Sequence, residues 1–196
     1  MPFILHPNEI GENDRAQVGG KAFALARLVR AGFQVPAFLS IASDAYRHFI
    51  AKTGLAERIL LELHRKEFKQ MRWEEIWDCA TRIRNLFLRS AMPAELSQEL
   101  HAAVSKQFGD RPVAVRSSAP DEDDAQSSFA GLHESHLNLK GAEAVVDHTR
   151  KVWASLWSDA ALLYRQELGL DVAHSAMAVV VQEMVLGDRS GIVFSQ

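Results

Sequence analysis

Residues 176–181 read Ala-Met-Ala-Val-Val-Val, an apolar run without a polar break, followed at once by Gln182 and Glu183. Its β-branched content and length suit a strand buried on both faces, not one that alternates between core and solvent. A fold that contains it must supply cover from two sides. Other extended segments are available to pair with it. Val113-Ala114-Val115 is a short apolar strand. Val35 to Ile41 is an extended run, with Pro36 near its start, where a missing N–H is tolerable. Leu132 to Leu139 alternates as a strand does. Residues 3–17 read as a short strand and a polar loop, and Ile192-Val193-Phe194 as a strand returning after the turn at 187–191.

The cover comes from helices. Ala22, Leu25, Ala26 and Val29 recur at helical spacing and predict a helix over 20–31, with Gly32 as its cap. Ser43 and Asp44 suit the N-terminus of a helix over 44–52. Residues 55–107 read as helical throughout, with a stripe of Trp73, Ile76, Trp77, Ala80, Ile83 and Phe87, and Pro93 opening a further helix. An amphipathic helix over 141–157 carries Val145, Thr149, Val152, Trp153 and Leu156 on one face, and another covers 159–168 and ends near Gly169. The character of the chain changes at Arg111-Pro112. The fold class is α+β.

The 22 basic and 25 acidic residues leave a net charge of -3, which offers no basic excess for nucleic acid or a membrane surface. Cys79 is the only cysteine, so neither an intrachain disulfide nor a cysteine metal cluster is available. No apolar run approaches the ~20 residues of a membrane helix, and Met1-Pro2-Phe3 does not open a signal peptide. The expectation is a cytoplasmic protein.

Four segments suit a phosphorylated ligand. Val18-Gly19-Gly20-Lys21 places two glycines and a lysine at a helix start, where backbone and dipole favour an anion. It lacks the glycine spacing of a Walker P-loop, and a capping turn with a surface lysine reads equally well. Arg116, at the end of an apolar strand and followed by Ser117 and Ser118, suits a phosphate clamp, because a guanidinium grips two oxygens. The competing reading pairs it with the acidic run Asp121-Glu122-Asp123-Asp124. Ser127-Ser128-Phe129-Ala130-Gly131-Leu132 is either a backbone cradle for phosphate or a tight turn. Val179 to Val185 is either a hinge for a nucleobase, with Met184 and Val185 packed beside it, or a strand leaving the core. His133 and His136 lack a metal-ligand constellation, and His174 reads as a loop residue.

Taken in order, these segments resemble the N-terminal domain of phosphoenolpyruvate synthase and pyruvate phosphate dikinase. The matching stretches are Val18-Gly-Gly-Lys21, Val35-Pro36, Val113-Ala-Val-Arg-Ser-Ser118 and Ser128-Phe-Ala-Gly131. They continue with His133-Glu134-Ser135, Leu137-Asn138, Trp153-Ala-Ser-Leu-Trp157, Ala178-Val-Val-Val-Gln-Glu-Met-Val185 and Gly191-Ile-Val-Phe194. The likeness is loose over 55–107. Rifampin phosphotransferase and glucan-phosphorylating dikinases look similar in this domain.

The resemblance implies an ATP-grasp-like nucleotide-binding domain, present in part, with a helical lobe. Residues 1–110 would be an N-terminal lobe with a helical segment, and 111–196 the nucleotide-binding portion, cut short at its C-terminal end. It implies ATP, with Lys21, Arg116, the backbone of Gly131 and the Ser135 hydroxyl near the phosphates and Gln182, Glu183 and Val185 at the adenine end. Ser135 stands where threonine is commoner and keeps the hydroxyl. Mg2+ is implied as well, with ligands beyond Gln196, so no catalytic residue is expected within 1–196 and the chain alone is expected to be inactive. The implied partners are a phosphohistidine domain and an acceptor domain, with pyruvate as the acceptor or, as the alternative, an antibiotic. A nucleotide-binding module without catalysis is the reading of a different class.

Overall fold

The computed structural model describes residues 2–119, 134–170, 175–189 and 191, together with the backbone of 123–124 and 127–128. The elements in chain order begin with β1 (Ile4–Leu5), α1 (Arg15–Arg30), β2 (Phe38–Ile41), α2 (Ser43–Lys52), α3 (Leu55–Leu63), α4 (Trp73–Arg89) and α5 (Ala94–Gln107). They continue with β3 (Val113–Ser118), β4 (Asp123–Asp124), β5 (Ser127–Ser128), β6 (Ser135–Leu139), α6 (Ala142–Ser155), α7 (Asp159–Leu168) and β7 (Ala178–Glu183). Five strands form one sheet in the order β1-β2-β7-β3-β6, and β4 and β5 pair separately. All pairing is antiparallel. Strands from either side of residue 110 therefore share the sheet.

The apolar run lies at the centre of that sheet. β7 pairs on one edge with β2, Ile41 opposite Val179 and Phe38 opposite Gln182, and on the other with β3, Ser118 opposite Ala178 and Val113 opposite Glu183. Alternation then sends its side chains to two cores. Val180 joins Leu5, Ile10, Phe38 and Val18, Ala22 and Ala26 of α1. Val179 and Val181 join Leu39, Ile41, Val113 and Val115 in the larger core, against α2 to α7. The sheet is thus covered by one helix on one face and by a helical layer on the other. Among the described residues no helix is long and apolar enough to cross a membrane.

The two tryptophans of Trp153-Ala-Ser-Leu-Trp157 are buried and polar-satisfied. The Trp153 indole N–H donates to the Met177 carbonyl at 3.1 Å and that of Trp157 to the Tyr46 hydroxyl at 3.0 Å. The first bond pins α6 to the residue just before β7 and so fixes where the central strand begins. Burial pushes the Tyr46 phenol well above its ordinary range.

Several sequence expectations are adjusted. The expected helix runs from Gly20 to Arg30, and a short helical turn from Arg15 precedes it across a break at Gly19, with φ 77° and ψ 170°. The run from Val35 pairs in the ladder only from Phe38. In α4 the buried arc comprises Ile76, Cys79, Ala80, Ile83 and Phe87, whereas Trp73 and Trp77 are 58% and 52% exposed. At 3.6 residues per turn Trp77 falls outside that arc, and Trp73 sits in the first turn at its margin. Gly169 ends α7 in the left-handed conformation, as the sequence suggests. The expected strand 192–194 and His174 lie outside the described residues.

Candidate functional site

Among the described residues, the α1 side of the sheet is only half covered. α1 lies over β2 and β7, and its contact with β3 is confined to the end of that strand. The Ser118 hydroxyl donates to the Val18 carbonyl at 2.8 Å and accepts the Ala22 N–H at 3.2 Å. The Gly20 N–H donates to the Ala119 carbonyl at 3.3 Å. Toward β6 no described element covers the same face. Ala114 and Arg116 share it with Ser118, two residues apart along β3, and the ladder sets Ala114 opposite Gln182 and Arg116 between Val180 and Ser135. An open cavity of about 440 Å³ results, lined by Pro36, Ala114, Arg116, Ser135, Leu137, Gln182, Glu183, Met184 and Val185. That volume is within the range of small-molecule sites, which run from ~300 to ~1,000 Å³.

Four of the expected residues therefore come together at once: Arg116, Ser135, Gln182 and Val185. Glu183 borders the same cavity, but its side chain is engaged elsewhere. Arg111 grips both of its carboxylate oxygens at 2.7 Å. Its N–H donates to the Ala37 carbonyl at 2.8 Å, and the next N–H, of Met184, to Pro112 at 2.9 Å. The hinge where β7 leaves the sheet is thus fixed to both neighbouring segments. Lys21 does not line the cavity. Its neighbours Gly20 and Ala22 bond to residues 118 and 119, so its backbone lies at the end of β3, one pleat repeat beyond Arg116. Gly131 lies outside the described residues, as does His133, and nothing is described of the side chains of 121–124.

Two expectations about this region change. The glycines at the start of the helix are not open to a ligand's approach. A Cβ on Gly19 would lie 1.8 Å from the Ser118 carbonyl oxygen, so this glycine lets α1 close on β3. Gly20 and Ala22 direct their N–H groups to the same strand end. The hydroxyls after Arg116 are likewise not presented to the cavity. Ser118 is fully buried against α1, and Ser117, 2% exposed, points to the opposite face.

The sequence reading missed Pro36, Ala114 and Leu137. Leu137 is 58% exposed and follows Ser135 by two residues, as Ala114 precedes Arg116 by two. The period-2 pattern that put Arg116 and Ser135 on a strand would have placed these apolar neighbours beside them. The cavity is therefore graded. Apolar Ala114, Leu137, Met184 and Val185 surround the Gln182 end, and a guanidinium and a hydroxyl face each other at Arg116 and Ser135. β6, which carries Ser135, pairs irregularly. Its register shifts between Val113 and Val115, and Asn138 takes a φ of 58°.

The family model described as pyruvate phosphate dikinase, AMP/ATP-binding domain, matches residues 15–196. The chain is 39% identical to a phosphoenolpyruvate synthase of Aeropyrum pernix, over 98% of this chain and 24% of that protein. It is 35% identical to a probable phosphoenolpyruvate synthase of Methanocaldococcus jannaschii, over 100% of this chain and 17% of that protein. It is 37% identical to a rifampicin phosphotransferase of Streptomyces sviceus, over 98% of this chain and 22% of that protein. The chain spans about a quarter or less of the length of these relatives. With its half-covered sheet and graded cavity, the chain belongs to the pyruvate phosphate dikinase AMP/ATP-binding domain family.

Proposed function

We propose that the open face of the sheet is one wall of an ATP site of ATP-grasp type, in a phosphotransferase that passes a phosphoryl group from ATP to a histidine on another domain and on to pyruvate. The observation that carries this reading is the linear order of groups along β3. Ala114, with Gln182 opposite, comes first, then Arg116, with Ser135 opposite, and then Ser118, with the Gly19-Gly20-Lys21 turn against it. At about 3.4 Å per residue the series spans roughly 14 Å. It runs from an apolar, hinge-like end suited to a purine to a cationic end suited to phosphates.

In this reading Gln182, the main chain of Glu183 and Val185 hold the adenine, because Arg111 already occupies the Glu183 carboxylate. Arg116 and Lys21 neutralise phosphate charge, and Ser135 and the backbone of Gly131 lie beside it. Phosphoryl transfer asks a protein mainly for positioning and for stabilisation of charge on the transferred group. Arg116 suits the second role because its planar fork binds two oxygens at once. Mg2+, which the family resemblance implies, finds no group of three or more His, Cys, Asp or Glu suited to a metal among the described residues. No step is assigned to it.

Pyruvate as acceptor rests on the phosphoenolpyruvate synthases among the relatives. The rifampicin phosphotransferase likeness supports the same ATP chemistry with an antibiotic acceptor as the second reading. Isothermal titration with ATP and with adenosine tests the site. Arg116→Ala should weaken ATP about tenfold or more, the loss of one charge-assisted contact, and leave adenosine nearly unchanged. Val185→Arg should weaken both ligands. Equal ATP affinity in wild type and Arg116→Ala would refute the assignment.

A further inference from the structure

Glu134 sits just before Ser135, and its side chain points away from the cavity, toward the helical layer. Strand alternation requires this, since Ser135 and Leu137 face the cavity and Glu134 and His136 the other side. Three contacts converge on Glu134. Its N–H donates to the hydroxyl of Ser155, at the end of α6, at 3.1 Å, and that fully buried hydroxyl in turn donates to the Val152 carbonyl at 2.7 Å. Its carboxylate accepts from the Arg84 guanidinium of α4 at 2.8 Å. The same carboxylate faces the His136 Nε2 at 3.4 Å. Among the described residues the Arg84 Nε and the His136 Nε2 are buried without a hydrogen-bond partner.

β6 needs such an anchor. Among the described residues it is the edge of the sheet, three residue pairs tie it to β3, and the register shifts within them. Ser135 is the terminal residue of the strand, and among the described residues no ladder pair beyond Arg116 holds it. A one-residue slip would turn Ser135 to the helical side and Glu134 into the cavity. There a carboxylate would stand where phosphate charge is expected.

We propose that Arg84 and Ser155 are positioning residues for the nucleotide site: they hold Glu134 on the helical side and so keep Ser135 opposite Arg116 in the cavity. This gives α4, in the segment where the family likeness is loosest, a part in phosphate recognition without contact to the ligand. It rests on the ATP reading of that cavity. The Arg84–Glu134 pair is half-exposed, 38% and 40% at the two side chains. Pairs of that kind add little stability, so placement and stability are separable in a test.

The test compares wild type with Arg84→Met, Arg84→Lys and Arg116→Ala by titration with ATP and with adenosine, alongside urea unfolding. Arg84→Met should weaken ATP by roughly two- to fivefold, the most that a pair worth up to about 1 kcal/mol can impose on placement. Adenosine affinity should hold, and the unfolding midpoint should barely move. Arg84→Lys, which keeps a cation able to reach Glu134, should recover most of the ATP affinity. Unchanged ATP affinity in Arg84→Met, with the expected loss in Arg116→Ala, would overturn the inference and leave the ATP reading intact. Parallel losses of ATP and adenosine, or a fall in the unfolding midpoint large enough to explain the affinity, would overturn it as a structural effect. ATP affinity that also survives Arg116→Ala would bring down the nucleotide reading and this inference with it.

Discussion

Replacing Gly19 with alanine perturbs the joint between α1 and β3 by a single carbon. Two separate penalties arise. The backbone at Gly19, φ 77° and ψ 170°, lies in a region that is nearly glycine-only, and a side chain there costs about 1–3 kcal/mol. The added Cβ would also stand 1.8 Å from the Ser118 carbonyl oxygen, 2.4 Å from its carbon and 2.5 Å from its hydroxyl. None of these atoms is a flexible side-chain end that can step aside. The carbonyl belongs to β3, which is paired to the central strand with Ser118 opposite Ala178. The hydroxyl is bonded to Val18 and Ala22. Retreat of α1 would in turn strip Val18, Ala22 and Ala26 from Val180 and Phe38. Overpacking of this kind typically adds about 1–3 kcal/mol. The combined loss of roughly 2–6 kcal/mol is a large share of the 5–15 kcal/mol that holds a typical domain folded.

Urea unfolding at 25 °C provides the assay. With a denaturant slope near 2 kcal/mol/M, the midpoint should fall by roughly 1–3 M. Gly32→Ala is the control. Gly32 has a similar φ of 82° with nothing within 4 Å of the added carbon, so it carries only a backbone penalty of about 1 kcal/mol. If Gly19→Ala loses no more than Gly32→Ala, α1 does not close on β3 in the way described. The account of Gly19 as a packing glycine would then fail.

Two further outcomes are expected. Tyr46→Phe removes the acceptor of the buried Trp157 indole N–H and should cost about 1–3 kcal/mol in urea unfolding; a loss under about 0.5 kcal/mol would show that this bond is not made. Burial, reinforced by His148, holds the His136 imidazole below its ordinary range, against the opposing pull of Glu134 and Asp147. The unfolded chain therefore takes up this proton first as pH falls through about 6.5, and stability should decline until the pH passes below the depressed folded value. His136→Gln should flatten the difference in unfolding midpoint between pH 7.5 and 5.5. An unchanged difference would refute the assignment.

What could be read without coordinates was whatever local pattern encodes. The apolar run of 176–181 required a strand covered on both faces, and its residues 178–181 became part of the central strand because an unbroken apolar run has no polar side to expose. The helices over 44–52, 141–157 and 159–168 followed from periodicity and caps, which act within a few residues. Arg116, Gln182 and Val185 were legible as site candidates because each terminates or leaves an apolar strand, whereas Ser135 was named only through the family resemblance. Their meeting in one cavity was not legible. It depends on β7 inserting between β2 and β3, pairings that span 60 or more positions of sequence.

Only the tertiary structure shows which neighbour each of several residues meets. Gly19 reads as a ligand-facing glycine until the carbonyl of Ser118 is found against it, a contact 99 residues away. The resemblance places Glu183 at the adenine end, and the structure shows its carboxylate gripped through both oxygens by Arg111. Trp77 reads as core until the buried arc of α4 is seen to turn past it. A sequence pattern reports which way a residue faces on its own element. Whether that face meets a ligand, solvent or another strand is decided by the partner element, and its identity is set by the free energy of burying the whole chain.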